Sequence, residues 1–158
     1  MHELNAGEEE VGVLIVGYNR PETLKRTLES LERFCNLERH IIFLSLDGPK
    51  PTEDPRPVFE SRSILEEWSK NYEKSVLSFS EVNIGLRNNM VRSISLAFNH
   101  VKRLVILEDD CMVGESTLEY FEWALGHLDS SSELGAVCGS FFGKGAHRGS
   151  FLSQRFNS

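Results

Sequence analysis

The sequence predicts an α/β protein: a three-layer α/β/α sandwich around a mostly parallel sheet. Three observations predict it. Short apolar runs rich in branched side chains alternate with amphipathic segments from Val11 to Cys138, as strands joined by crossover helices do. One of these runs, Leu104–Leu107, is apolar at every position, the pattern of a parallel strand covered on both faces. Polar segments follow the runs at residues 17–20, 47–48 and 108–110. Those are strand ends, where open α/β sheets bind ligands.

The elements follow in order. Val11–Val16 is apolar and β-prone, and Gly17-Tyr18-Asn19-Arg20-Pro21 ends it. Pro21 suits the first position of a helix, and Leu24, Leu28, Leu31 and Phe34 then recur at helical spacing. His40–Leu46 is a second strand closed by Asp47-Gly48-Pro49, with Lys50–Pro57 as a surface loop. Ile64, Leu65 and Trp68 mark a helix reaching Asn71, and a third strand covers Val76–Phe79. After the Asn83-Ile84-Gly85 turn, Met90, Val91, Ile94, Ala97 and Phe98 give another helix. The fourth strand spans about 103–108. Leu118, Phe121, Leu125 and Leu128 make a further helix, and Leu134–Cys138 a fifth strand. Past Gly139 the pattern loses its period, apart from a short edge-strand candidate at Phe151–Phe156. The 158 residues are expected to form one domain, cut within a longer protein and lacking a C-terminal part.

Composition narrows the function. Hydrophobic residues make up 40% and charged residues 26%, an ordinary globular balance. Seventeen basic against 24 acidic residues give a net charge of −7, which argues against general nucleic-acid binding. Cys35, Cys111 and Cys138 form no close pair, as expected of reduced thiols in the cytoplasm. The polar, acidic start is no signal peptide, and no apolar run approaches a membrane span. The histidines show no ligand spacing, and Trp68 and Trp123 fall in helical patterns that suit core positions. There is no Gly-x-Gly-x-x-Gly, Walker or Gly-x-Ser-x-Gly sequence.

The chemistry lies at the strand ends. Glu108, Asp109 and Asp110 repel one another, and they persist together in water, against a cation or against a ligand's hydroxyls. Hard oxygen donors suit Mg²⁺ or Mn²⁺ shared with substrate phosphates; a solvated acidic turn is the plainer alternative. Gly17 lets backbone approach a flat ligand. Asp47 can accept from a base N–H, with a plain turn at Asp47-Gly48-Pro49 as the alternative, and Arg20 can meet a base or phosphate, with an ordinary loop and helix start at 17–21 as the alternative. The Asn83–Asn89 segment opens a helix whose N-terminal amides attract anions; simple Asn capping is the equal alternative. In a parallel sheet these ends converge on one edge.

Four segments together carry a resemblance: Val-Leu-Ile-Val-Gly-Tyr-Asn-Arg-Pro (13–21), Leu-Ser-Leu-Asp-Gly (44–48), Asn-Ile-Gly-Leu-Arg-Asn (83–88) and Val-Ile-Leu-Glu-Asp-Asp (105–110). The set resembles the nucleotide-binding half of GT-A glycosyltransferases of the family-two-like bacterial type. It is also similar to the N-acetylglucosaminyltransferase I group, in which Glu-Asp-Asp replaces Asp-x-Asp. The resemblance implies a glycosyltransferase that uses a nucleoside-diphosphate sugar, a UDP-sugar foremost, with Mn²⁺ or Mg²⁺. It implies that Gly17, Tyr18, Asn19 and Arg20 lie along the nucleotide and that Asp47 holds the base edge. Arg87 or Arg92, with Asn88, would lie near the ribose or pyrophosphate. Glu108 and Asp109 would meet the ribose, the donor sugar or metal-bound water, and Asp110 would ligate the metal. The acceptor-binding half and the catalytic base of such enzymes have no counterpart here. The chain therefore reads as a donor-binding part that is incomplete for catalysis and expected to self-associate through its truncated edge. A metal-dependent nucleotidyl- or phosphotransferase of similar fold, or a non-catalytic interaction domain, are the alternatives.

Overall fold

The structure, a computed structural model, describes residues 11–129 and Ala136. The expected strand near 134–139, Ala136 aside, and the segment at 151–156 lie outside the described residues. The chain divides into two compact units, Met1–Glu115 and Ser116–Ser158.

The first unit holds four strands: β1 (Val11–Gly17), β2 (Ile41–Leu46), β3 (Ser75–Phe79) and β4 (Arg103–Glu108). All pairings are parallel, in the order β3-β2-β1-β4. Each of the first four predicted strands is present within a residue or two. Parallel neighbours need crossovers, and these are α1 (Pro21–Phe34), α2 (Arg56–Ser69) and α3 (Leu86–Phe98). Right-handed crossovers β1-α1-β2 and β2-α2-β3 step one way across the sheet, so α1 and α2 share a face and pack on each other. The step from β3 back to β4 reverses direction and puts α3 on the opposite face. The result is the expected three-layer α/β sandwich.

On the α3 face, Leu14, Val16, Ile41 and Phe43 meet Ala97 and Val101. Small residues on α3 allow this close approach, since Asn89, Ser93 and Ala97 form its buried stripe. On the other face, Val13, Ile15, Ile42, Leu44 and Leu46 are almost wholly buried, as are Leu24, Leu28 and Leu31 of α1 and Val58 and Leu65 of α2. Fully burying one such side chain contributes about 1.5–3 kcal/mol. β1 and β2, in the middle, are therefore the rigid part of the sheet.

Three expectations need correction. β4 is not covered on both faces: among the described residues it stands at the sheet edge, Leu104 is half-buried and Ile106 is 40% exposed. α2 starts at Arg56, inside the stretch read as a loop, because Pro57 in its first turn is compatible with helix. In the second unit, α4 (Thr117–Asp129) carries Trp123 half-exposed, its ring 4.1 Å from the His127 imidazole one turn on, rather than in a core. Trp68 is buried as expected. Among the described residues no helix is long and apolar enough to cross a membrane.

Candidate functional site

Strand order reverses between β1 and β4, and the crevice at their carboxyl ends is where an open α/β sheet binds ligands. A cavity of about 320 Å³ opens there. Its walls come from the ends of three strands and the start of α3. Gly17, Tyr18, Asn19 and Arg20 follow β1, Asp47 and Lys50 follow β2, and Glu108 and Asp109 end β4. Asn83, Gly85, Leu86 and Asn89 complete it from the α3 side.

Asp109 sits at the centre. It is 1% exposed and fills the space that a side chain at Gly17 would need: a Cβ there would lie 2.7 Å from Asp109 Oδ2 and 2.9 Å from its Cβ. The room at Gly17 is thus taken up by Asp109, while Gly17 still lines the cavity. The Tyr18 N–H donates to Asp109 Oδ2 at 3.1 Å, and the Arg20 guanidinium pairs with Oδ1. The same guanidinium donates to Asp110 Oδ2 at 2.6 Å. Burial pushes the Asp109 carboxyl above its ordinary pKa; the Tyr18 N–H and Arg20 pull it back only in part. Burial works against the Arg20 charge too, but Asp109 and Asp110 outweigh it and raise its pKa. Behind this network, Thr27 Oγ1 donates to the Asp109 carbonyl at 3.1 Å and the Val113 N–H to Ser30 Oγ at 3.2 Å, tying the β4 exit to α1.

Asp47 is placed differently. It is 3% exposed and accepts three backbone N–H groups. Gly48 and Ile84 donate to Oδ1 at 2.8 and 2.9 Å, and Gly85 donates to Oδ2 at 2.8 Å. It thus stitches the β2 exit to the turn before α3. Gly85 is the N-cap of α3 with φ +82°, a conformation that favours glycine. Asn83 Nδ2 adds a bond to the Gly48 carbonyl at 2.9 Å.

Tyr18 turns its hydroxyl toward the 47–54 loop, donating to Glu53 Oε2 at 3.0 Å and accepting from the Lys50 N–H at 3.2 Å. Burial and then Glu53 raise its pKa, against the Lys50 N–H.

Of the residues singled out in the sequence, Gly17, Tyr18, Asn19, Arg20, Asp47, Glu108 and Asp109 line the cavity together. Among the described residues, Asp110 joins them through Arg20. Arg87 is exposed in the first turn of α3, outside the cavity lining. Asn88 donates back to the Ile84 carbonyl at 2.8 Å; this is not a cap, since the N-cap of α3 is Gly85 and it carries no side-chain cap hydrogen bond. Arg92 points under the cavity, to Ser45, Ser78 and Asn89, because its place on α3 faces the sheet. Asn83, Gly85, Leu86 and Asn89 belong to the Asn83–Asn89 segment that the sequence marks, without an individual role for each, and Lys50 reads there only as part of a loop. A signal existed for Asn89: a poor helix former at a buried-face position, one turn before Ser93.

The donor set bears on a divalent ion. Among the described residues no three His, Cys, Asp or Glu side chains cluster to hold one, and Asp109 is committed to Tyr18 and Arg20. Asp110 is half-exposed and Glu108 exposed. Mg²⁺-type ions are commonly held by one or two such carboxylates with phosphate oxygens completing the shell, and this donor set fits that mode.

The fold finds a counterpart in a crystal structure, residues 1–349 of S. aureus TarS, a glycosyltransferase. The two superpose with a TM-score of 0.51 at 16% identity, over 77% of this chain and 32% of that one. The chain has a glycosyltransferase-like α/β fold. It spans about a third of the TarS structure it matches. No family model matches the sequence, and no curated protein matches it as a relative.

Proposed function

We propose that this chain is the donor-binding part of a glycosyltransferase. It would bind a nucleoside-diphosphate sugar, a UDP-sugar foremost, for transfer to an acceptor. One observation carries the reading: at the point where strand order reverses, a single cavity gathers the β1 exit, Asp47 and the Glu108–Asp109 end of β4. The glycosyltransferase-like fold supports it.

In this reading the chain's own residues bind and orient the donor. Arg20 and Lys50 bring positive charge to the diphosphate. Asp47 holds the base-side wall rigid through the amides of Gly48, Ile84 and Gly85. Glu108, exposed at the cavity floor, accepts from ribose or sugar hydroxyls. Asp109 fixes Arg20, so the guanidinium does not have to be ordered when the ligand arrives. Asp110 would hold a Mn²⁺ or Mg²⁺ ion, which supplies Lewis-acid neutralisation of the leaving diphosphate.

Calorimetry or thermal melting with UDP-sugars, in Mn²⁺ and in a chelator, tests the proposal. A ligand at a hundred times its Kd should stabilise the fold by about 2.7 kcal/mol. Asp110→Asn should weaken the Mn²⁺-dependent part about tenfold or more, as removal of a charged hydrogen-bonding partner does. Tighter binding of the bare nucleoside triphosphate would favour a nucleotidyl- or phosphotransferase. No nucleotide binding under any condition would overturn the proposal.

A further inference from the structure

Beneath the cavity lies a polar cluster that the donor-binding reading has not used. Arg92 reaches it from α3: Nη2 donates to Asn89 Oδ1 at 2.8 Å, to the Ser78 carbonyl at 3.1 Å and to Ser45 Oγ at 3.3 Å. Ser45 and Ser78 are register partners on β2 and β3, so the guanidinium lies over the sheet. Its Nε is buried without a partner, and among the described residues no carboxylate pairs with the guanidinium. Arg92 is partly buried; holding a charge there without a counter-ion is costly, and a plain packing role would be filled more cheaply by an apolar side chain.

The arrangement fixes the neighbouring amide. Arginine carries donors only, so the atom of Asn89 that faces it must be the oxygen; a flipped amide would set NH₂ against guanidinium. Ser45 Oγ lies at 3.4 Å from the same oxygen and Ser93 Oγ at 2.5 Å from Ser45 Oγ, which braces that side further. Every side-chain hydrogen bond of Asn89 runs to its oxygen, and its NH₂ has no partner among the described residues. Asn89 is 1% exposed, yet it lines the cavity.

We infer that Asn89 is a specificity-determining residue of the cavity: Arg92 locks its amide so that only a donor is offered, and the site therefore selects a nucleotide base bearing a carbonyl oxygen over one bearing an amino group. Arg92 is the positioning residue. The inference rests on the nucleotide-binding reading of the cavity and adds to it the hydrogen-bond polarity of the base.

The test compares UDP with CDP, which differ at C4, carbonyl against amino, and at N3, N–H against a bare acceptor, by calorimetry on the full chain; the variants isolate the part that Asn89 reads. The parent should prefer UDP by about tenfold or more, the size of one buried hydrogen bond set against a donor-donor clash. Asn89→Asp keeps the shape but offers only acceptors, and it should erase or reverse the preference. Arg92→Lys retains a cation and should keep part of it; Arg92→Met frees the amide to flip and should bring the two ligands within twofold. Melting curves accompany each variant, and Asn89→Asp alone suffices if Arg92→Met does not fold. A purely structural pair would lower the melting temperature and leave the UDP/CDP ratio unchanged; that result overturns the inference while nucleotide binding stands. Failure of both ligands to bind the parent overturns the donor-binding reading and the inference with it.

Discussion

Asp47 and Asp109 follow β2 and β4, the two strands that flank β1, line one cavity and are almost equally buried. Their partners separate them. Asp47 accepts three backbone amides, so its charge is held by the fold itself and can move only if the loop moves. Asp109 accepts one amide and is paired with Arg20, a side chain that remains 47% exposed and has a second carboxylate to choose. A buried anion satisfied by backbone is held by the main chain, whereas one satisfied by a guanidinium depends on where that side chain is placed. One wall of the cavity is therefore set by backbone amides and the other by a single arginine.

The comparison can be broken in order of expected effect. Asp47→Ala leaves three N–H groups without this partner, that of Gly48 buried and those of Ile84 and Gly85 part-buried, and should cost on the order of 3 kcal/mol in urea unfolding. A cost below about 1 kcal/mol would mean the 83–85 turn is held by other bonds. Gly17→Ala pushes a methyl into Asp109 and should cost about 2 kcal/mol, the usual scale of overpacking. Its crystal structure should show Asp109 displaced from Tyr18. Arg20→Gln should cost only about 1 kcal/mol, since half the arginine already lies in water, while nucleotide affinity falls well beyond that. Equal losses in the two measurements would make Arg20 a structural residue.

The smallest effect is in pH. Burial raises the Asp109 pKa, so the folded state takes up this proton more readily than the unfolded chain does. The stability it contributes is present below the ordinary carboxylate value and is lost as pH rises through the raised one. Asp109→Asn has no such proton, so the stability of the parent relative to the variant should be greatest in acid and shrink toward neutrality. Urea melts of both between pH 4 and 7 check the sign; a gap that widened with pH would show that Arg20 outweighs burial.

The fold was legible because the residues that build it speak locally. Val13–Val16, Ile41–Leu46 and the spacing of Leu24, Leu28 and Leu31 report strands and helix without reference to partners. Neighbour-dependent features were not. Ile106 looks like a core residue in sequence and is exposed because of where β4 sits in the sheet order. The cavity was legible where residues immediately follow strands, as with Gly17–Arg20, Asp47 and Glu108–Asp109. It failed along α3, where the choice among Arg87, Asn88, Asn89 and Arg92 depends on which side of the helix meets the sheet. A helix rotated by one residue, about 100°, would have exchanged their roles.

The parallel pairing of β1 with β4 has a further consequence, for how the chain is made. Val11 pairs with Arg103, so one long side of β1 waits for its partner until some 90 residues later have left the ribosome. During that interval β1 can pair with β2, but its other backbone edge, flanked by Val13, Leu14, Ile15 and Val16, stays open to any strand that passes. A nascent chain stalled before residue 103 would carry an apolar, unpaired edge of the kind that seeds aggregation.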